Sequence, residues 1–417
     1  MKRILLFFLL LSAMTAYSQD ITGEWDGTLN VQGKSLRIAF HISKTDAGYS
    51  ATMDSPDQGA MGIQMSQASF ENKVLTVEMR IAQIKYVGTL DKTTLTGTFS
   101  QAGQSMPLNL TKNELAVKKV VVEEKSSIYD ETPINLPTKT GKIYGTLTTP
   151  KAFAKGPLAL IIAGSGPTDR NCNNPSMTND AYKKIAHELA SNGIASIRYD
   201  KRGIAESTAA VESESSLVFY DYVQDAIDWI QQARLDKRFT QVVLIGHSEG
   251  SMIGILAAGK ADKFISVAGA GRSIGVVLKE QLSSQPKAVQ DEAFPIIDRL
   301  AKGEKVENIS QAMMPLFRPS VQPYMISWLK YDPAVELKKL KIPVLIIQGT
   351  MDIQVSVEDA KLLSAAKPDA KLLLIDKMNH VLRTVEGDRT ANLATYNKAE
   401  LPLAEGFVKA VTDFILK

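Results

Sequence analysis

Residues 246–250, Gly246-His247-Ser248-Glu249-Gly250, stand between two apolar runs, Val242-Val243-Leu244-Ile245 and Met252-Ile253-Gly254-Ile255-Leu256-Ala257-Ala258. The first run predicts a buried strand and the second a buried helix. The five residues between them must therefore reverse the backbone in a sharp turn. Such a turn crowds the positions two before and two after the serine, and Gly246 and Gly250 remove the side chains that would clash there. It also leaves the Ser248 hydroxyl exposed, with the N-terminus of the helix pointing at it.

Around this unit the chain alternates. Strands are expected at 158–163, 194–199, 241–246 and 263–268, and helices at 180–191, 217–233 and 249–259. That order predicts a mostly parallel, doubly wound sheet with helices on both faces. Functional residues should then lie at the carboxyl ends of its strands. G-x-S-x-G in this setting is a nucleophile elbow, and a serine nucleophile needs a histidine base oriented by a carboxylate. The chain has four histidines. His41 lies in an alternating strand and is read as facing outward. His187 belongs to a helix and is read as a surface residue. His247 adjoins the serine too closely to aim its ring at that hydroxyl. His380 is left, just past the strand Leu372-Leu373-Leu374-Ile375. The carboxylate is expected after the preceding strand, Pro343-Val344-Leu345-Ile346-Ile347, which selects Asp352. Asp376 is the rival, but it ends its own strand, only four residues before His380.

The order Ser248, Asp352, His380 is that of the α/β-hydrolases, and over roughly residues 130–417 the chain resembles that superfamily. The resemblance is closest to its esterase and serine-aminopeptidase-like branch. Gly164-Ser165-Gly166-Pro167-Thr168-Asp169-Arg170 is similar to the oxyanion loop of that branch. Tyr199-Asp200-Lys201-Arg202-Gly203 resembles its D-x-R-G segment, and Gly349-Thr350-Met351-Asp352 its G-x-x-D acid loop. The resemblance implies that the backbone N–H groups of Ser165 and Glu249 form the oxyanion hole. The lipase-type H-G-G-G is absent, and Ala163-Gly164-Ser165-Gly166 stands in its place. Residues 273–338 break the alternation, read as helical, and fall where this superfamily inserts a lid. The segment is rich in Met and aromatic residues: Met313, Met314, Leu316, Phe317, Tyr324, Met325 and Trp328. These can pack the lid onto the body, line an acyl pocket, or do both.

Residues 19–112 follow a different rule. Trp25, Gly27, Leu29 and Val31 alternate with polar residues, as do Leu75, Val77, Met79 and Ile81. Period two with one apolar face marks half-buried antiparallel strands. About eight short strands are expected, enough to curl into a barrel or half-barrel, and the region resembles the lipocalin-like β-domain of some bacterial hydrolases. Its interior is either a ligand site or a packed core. Residues 113–137 read as a linker, with Lys118–Val122 able to form one strand, and 138–417 as the hydrolase domain.

The start of the chain reads as a secretory leader. Lys2-Arg3, the apolar Ile4–Leu11 and the small residues of Ala16-Tyr17-Ser18 predict a signal peptide over 1–18, with Gln19 first in the mature chain. The expected location is periplasmic or extracellular, without stable membrane insertion after cleavage. The formal net charge of +3 drops by two when Lys2 and Arg3 leave, so no nucleic-acid partner is implied. The single cysteine, Cys172, allows no internal disulfide and reads as a loop residue. No zinc spacing, phosphate loop or dinucleotide fingerprint is found, so neither metal nor cofactor is expected. The expected activity is hydrolysis of a small-molecule carboxylic ester of short to medium apolar acyl length through an acyl-enzyme. The alternatives are a serine aminopeptidase-like activity and, third, a non-catalytic binding protein.

Overall fold

The computed structural model describes residues 20–31, 34–45, 48–55, 57, 60–80, 82–101, 103–113, 126–174, 177–310 and 312–417. The expected leader and the stretch Lys118–Val122 lie outside them. The alternating region forms nine antiparallel strands among the described residues: β1 (Gly23–Val31), β2 (Lys34–Thr45), β3 (Gly48–Ser55), β4 (Ala60–Gln64), β5 (Gln67–Glu71), β6 (Val74–Met79), β7 (Ile84–Asp91), β8 (Thr94–Gln101) and β9 (Gln104–Lys112). Their order is β2-β1-β9-β8-β7-β6-β5-β3-β4, with β2 also pairing with β3. That extra pairing closes a barrel and leaves β4 hung on its outside.

Strict alternation decides what fills the barrel. Along β7, Ile84, Tyr86, Gly88 and Leu90 face inward and their neighbours face water. Trp25, Phe40, Leu75, Tyr86, Leu95 and Leu110 are completely buried. The Tyr86 hydroxyl lies over Gly88 and Gly97, where an added Cβ would come within 2.4 and 2.7 Å of it. The polar tips of the aromatics are satisfied locally, with Trp25 Nε1 donating to Ile21 O at 2.8 Å. Of the two interiors open to the sequence, side chains build the packed one.

The second sheet begins with β10 (Tyr129–Thr138) and β11 (Gly141–Pro150). β10 corrects the end of the expected linker, since residues 129–137 belong to the second sheet. Pro133 and Pro137 lie within it, and neither can donate a ladder hydrogen bond. β10 is an edge strand, which tolerates proline. Then come β12 (Gly156–Ile162), β13 (Ala195–Tyr199), β14 (Phe239–His247), β15 (Lys263–Val267), β16 (Val344–Gly349) and β17 (Lys371–Ile375). The order is β10-β11-β13-β12-β14-β15-β16-β17, parallel from β13 to β17. Every residue of β13 and β16 is buried, as a two-sided parallel sheet requires.

Alternate residues of the central strands feed separate cores. Leu158, Leu160 and Ile162 of β12 face one layer, and Ala159 and Ile161 the other. Helices α1 (Ala181–Ser191), α2 (Phe219–Leu235) and α3 (Glu249–Ala257) cover the sheet. Between β15 and β16 come α4 (Ile274–Leu282), α5 (Lys287–Ala301), α6 (Met314–Phe317), α7 (Gln322–Trp328) and α8 (Pro333–Leu337), which form the expected helical lid. α9 (Val357–Ala366), α10 (Arg389–Ala394) and α11 (Phe407–Leu416) complete the body. This is the α/β-hydrolase architecture preceded by a β-barrel. The barrel's turns meet the hydrolase at a cleft of about 680 Å³, lined by Met79, Ala82, Gln83 and Gln101 on one side and by Lys201, Glu249 and Arg318 among others on the other.

Candidate active site

β12 and β14 are direct neighbours, with Ile162 level with Gly246. The loop after β12 and the turn after β14 therefore leave the sheet side by side, where the strand order reverses. Ser248 adopts φ 55° and ψ −120°, a conformation few non-glycine residues hold. The surroundings enforce it. Ser248 N–H donates to Val267 O at 2.9 Å. A Cβ on Gly246 would lie 2.2 Å from Gly250 O, and one on Gly250 would lie 2.3 Å from Ile162 O. Both glycines are thus fixed by backbone contact, as the sequence implied.

Asp352 follows β16 and His380 follows β17. Asp352 Oδ2 lies 2.8 Å from His380 Nδ1. The same carboxylate accepts from the N–H groups of Gln354 (2.8 Å) and Val355 (3.0 Å) and from Gln348 Nε2 (3.1 Å). Burial pushes its proton affinity up, but the His380 ring and these N–H donors outweigh burial and hold it below the usual carboxylate range. With Nδ1 engaged, Nε2 is the free ring nitrogen of His380. His380 and Ser248 line one cavity of about 310 Å³ together with Gly164 and Ser165. Among the described residues neither the Ser248 hydroxyl nor His380 Nε2 has a hydrogen-bond partner, which suits a site that tightens on substrate. The rival Asp376 is turned to the surface, where it accepts from Thr350 Oγ1 at 3.1 Å.

The other histidines are engaged elsewhere. His41 pairs with Asp54 on the barrel at 2.7 Å. His187 stacks on Tyr129 with ring centroids 4.1 Å apart and pairs with Glu131 at 2.9 Å, joining α1 to β10. His187 is half-buried rather than simply on the surface. Cys172 is buried, and burial pushes its thiol up to about 12, so it is no thiolate.

Sequence reasoning missed a buried chain of hydrogen bonds beneath the elbow. His247 Nε2 lies 2.8 Å from His380 O, and Nδ1 lies 2.7 Å from the Tyr182 hydroxyl. Burial, then the nearby His380, lowers the His247 imidazole to about 3, so the ring is neutral. A carbonyl can only accept, so Nε2 carries the proton and Nδ1 accepts from Tyr182. The Tyr182 oxygen in turn accepts from Gly164 N–H at 3.0 Å. One directional chain therefore ties the loop after β12, the elbow and the backbone of His380. Tyr182 sits 65 residues from His247, on the inner face of α1, and no local spacing announces it.

A second cavity, about 330 Å³, runs from Ser248, Ser165 and Glu249 under the lid. Five of the seven lid residues picked from the sequence line it: Leu316, Phe317, Tyr324, Met325 and Trp328. Met313 and Met314 pack into the core instead. Trp328 also stacks on Phe219 of α2, centroids 5.3 Å apart and planes 7° from parallel, so packing and lining fall to one side chain. The charged residues on the wall all have partners. Glu249 pairs with Lys201 at 2.7 Å, Arg272 with Asp359 at 2.7 Å, and Arg318 with Glu214.

The chain is similar to several known proteins. Residues 177–338 match the family described as serine aminopeptidase, S33, a span that holds Ser248 and ends before Asp352. The esterase EstD of Thermotoga maritima is 26% identical over 340 residues, covering 78% of this chain and 75% of that protein. Est1E of Butyrivibrio proteoclasticus is similar in structure at 18% identity and a TM-score of 0.43, over 68% of this chain and 97% of its own. An esterase of Pyrococcus furiosus is similar at 12% identity and a TM-score of 0.45, over 69% and 91%.

Proposed function

We propose, for a chain that is a serine hydrolase of the α/β-hydrolase fold, that it cleaves carboxylic esters of uncharged, short to medium acyl groups. The observation that carries this reading is the cavity under the lid. Ser248 is on its wall, most of its lining side chains are apolar, and each charged side chain on it already has an opposite partner. An acyl chain gains from leaving water there. A substrate ammonium, which an aminopeptidase must hold, would have to take Glu249 from Lys201.

In this reading His380 Nε2 takes the Ser248 proton as the serine oxygen attacks the ester carbonyl. Asp352 fixes the Nδ1–H tautomer and stabilises the imidazolium. The N–H groups of Ser165 and Glu249 hold the oxyanion, each contributing about 3 kcal/mol. His380 returns the proton to the departing alcohol. Water, activated by the same nitrogen, then releases the acid from the acyl-enzyme. The leader-like residues 1–18 support export before this chemistry, and N-terminal sequencing of protein secreted by a native-type host tests it by the presence of Gln19 first.

The deciding experiment is a series of p-nitrophenyl esters of rising acyl length against aminoacyl p-nitroanilides. The esters are expected to be cleaved faster, with an optimum at short to medium length. Faster anilide cleavage assigns the chain to the peptidases, and no turnover of either leaves a binding protein.

A further inference from the structure

Lys201 follows β13 and is 2% exposed, as is the carboxylate it meets. A lysine so buried is uncommon, because its ammonium loses its water and must be repaid in hydrogen bonds. Its Nζ donates to Gly164 O at 2.6 Å and to Glu249 Oε1 at 2.7 Å, and lies 4.9 Å from the centre of the Tyr222 ring. Both hydrogen-bond acceptors belong to the two places where the oxyanion donors are expected. The Gly164 carbonyl and the Ser165 N–H are the two ends of one peptide group. That group is planar and trans, so its C=O and N–H point in opposite directions. Holding the oxygen sets the direction of the N–H. A cation at the oxygen also draws electron density from the amide nitrogen and strengthens the donor at the other end. The flanking peptide groups are held separately: the Gly164 N–H before it donates to the Tyr182 oxygen at 3.0 Å, and the Ser165 carbonyl after it accepts from Thr168 Oγ1 at 2.9 Å. Glu249 supplies the second N–H, and its side chain is moored to the same ammonium. That pairing offsets a carboxylate that would otherwise repel the oxyanion from close by.

We propose that Lys201 is the positioning residue of the oxyanion hole: one buried ammonium aligns and polarises the Ser165 N–H through the Gly164 carbonyl and neutralises Glu249 beneath the second donor. The inference rests on the reading of Ser248 as nucleophile. Its role is to act through two backbone amides and not to touch the substrate, which separates it from the triad.

The test compares Lys201→Met, which keeps the length and loses the charge, with Lys201→Arg, which keeps the charge and moves the donor. Each is assayed on one p-nitrophenyl ester for kcat and KM, on an alkyl boronic acid for Ki, and for thermal unfolding. Labelling of the wild type by a fluorophosphonate, and its loss in Ser248→Ala, checks the nucleophile independently. Failure of that labelling overturns the underlying reading, whatever Lys201 does. With labelling intact, Lys201→Met is expected to lower kcat about 10²- to 10³-fold, the size of a lost oxyanion donor. KM should stay within about threefold, and boronate affinity should fall in proportion to kcat, since the tetrahedral boronate uses the same donors. Lys201→Arg should fall between, about tenfold down in both. A purely structural role moves the unfolding temperature while leaving kcat and boronate affinity of the folded enzyme near wild type, and that result overturns the proposal. If Lys201→Met does not fold, Lys201→Arg decides by the same pair of measurements. Wild-type boronate affinity in that variant rejects the assignment.

Discussion

Inside the barrel, Trp25 and Tyr86 direct their polar atoms to their own domain's backbone, at Ile21 and Leu95. Beneath the elbow, His247, Lys201 and Glu249 are also buried, but their partners belong to distant segments of the chain. The barrel's buried polar atoms are loose ends that have been tidied. The hydrolase's buried polar atoms are the ties that place one loop against the next. Burial in the first region therefore stabilises a shape, and in the second it positions charge and hydrogen-bond donors where strands end. Mutations in the two regions should separate along that line: stability without rate in the barrel, rate with little loss of stability at the exposed parts of the site.

The largest expected effect is at Ser248. Ser248→Ala should lower turnover by about 10⁶ and abolish fluorophosphonate labelling, at an unfolding temperature no lower than wild type. Labelling that persists in the variant places the nucleophile elsewhere. Asp352→Asn comes next, with a loss of up to ~10⁴ in kcat because the wrong imidazole tautomer is then favoured. Asp376→Asn, on the surface, should leave kcat within about threefold, and the reverse ranking transfers the acid role to Asp376. In the barrel, Trp25→Ala should cost about 3–5 kcal/mol in denaturant unfolding of that domain. The kcat of the folded enzyme should not change. A fall in kcat breaks the comparison and makes the barrel part of the active site through the cleft at Met79 and Gln83.

The fourth expectation concerns acid. The unfolded His247 ring protonates near its ordinary value of 6.5, whereas the folded ring resists until about 3. The unfolded state therefore binds the extra proton first as pH falls, and stability drops from about pH 6.5 down to about pH 3. Above 6.5 the contribution of His247 is fully present. Urea unfolding at a series of pH values should give a steeper acid loss for wild type than for His247→Gln, since all other titrating groups are common to both. Parallel curves remove His247 from the account. The smallest effect is in the lid. Each methylene that enters the acyl cavity should add up to ~0.8 kcal/mol, about fourfold in kcat/KM. Phe317→Ala and Trp328→Ala should each shift the preferred chain length, and an unchanged optimum in both places the acyl pocket elsewhere.

Much of this was legible in the chain. Period two marked the barrel, and the elbow glycines, the strand ends and the elimination of three histidines led to Ser248, His380 and Asp352; Ser248 and His380 line one cavity, and Asp352 meets the His380 ring. What stayed hidden depends on contacts between distant segments. Tyr182 reads as one more apolar helix position, and His247 as a bystander to the serine, until the hydrogen bonds join them. Lys201 belongs to a segment visible only as a resemblance, because nothing in the spacing says that an ammonium will be buried. β10 was obscured by local chemistry: Pro133 and Pro137 argue against a strand everywhere except at the margin of a sheet.

The pairing of β15 with β16 has a consequence for how such a molecule can change. Phe264 to Val267 lie directly beside Val344 to Ile347, so the sheet continues unbroken across the whole lid insertion. The lid leaves and re-enters through neighbouring strands, and lengthening such an excursion adds little entropy cost to closing it. The length of the excursion can therefore change while Ser248, Asp352 and His380 keep their places at the strand ends. On the proposed reading, in which the lid lines the acyl cavity, selectivity and reactivity are separately inheritable, and variants of lid length on a fixed body are the library from which to breed new preferences.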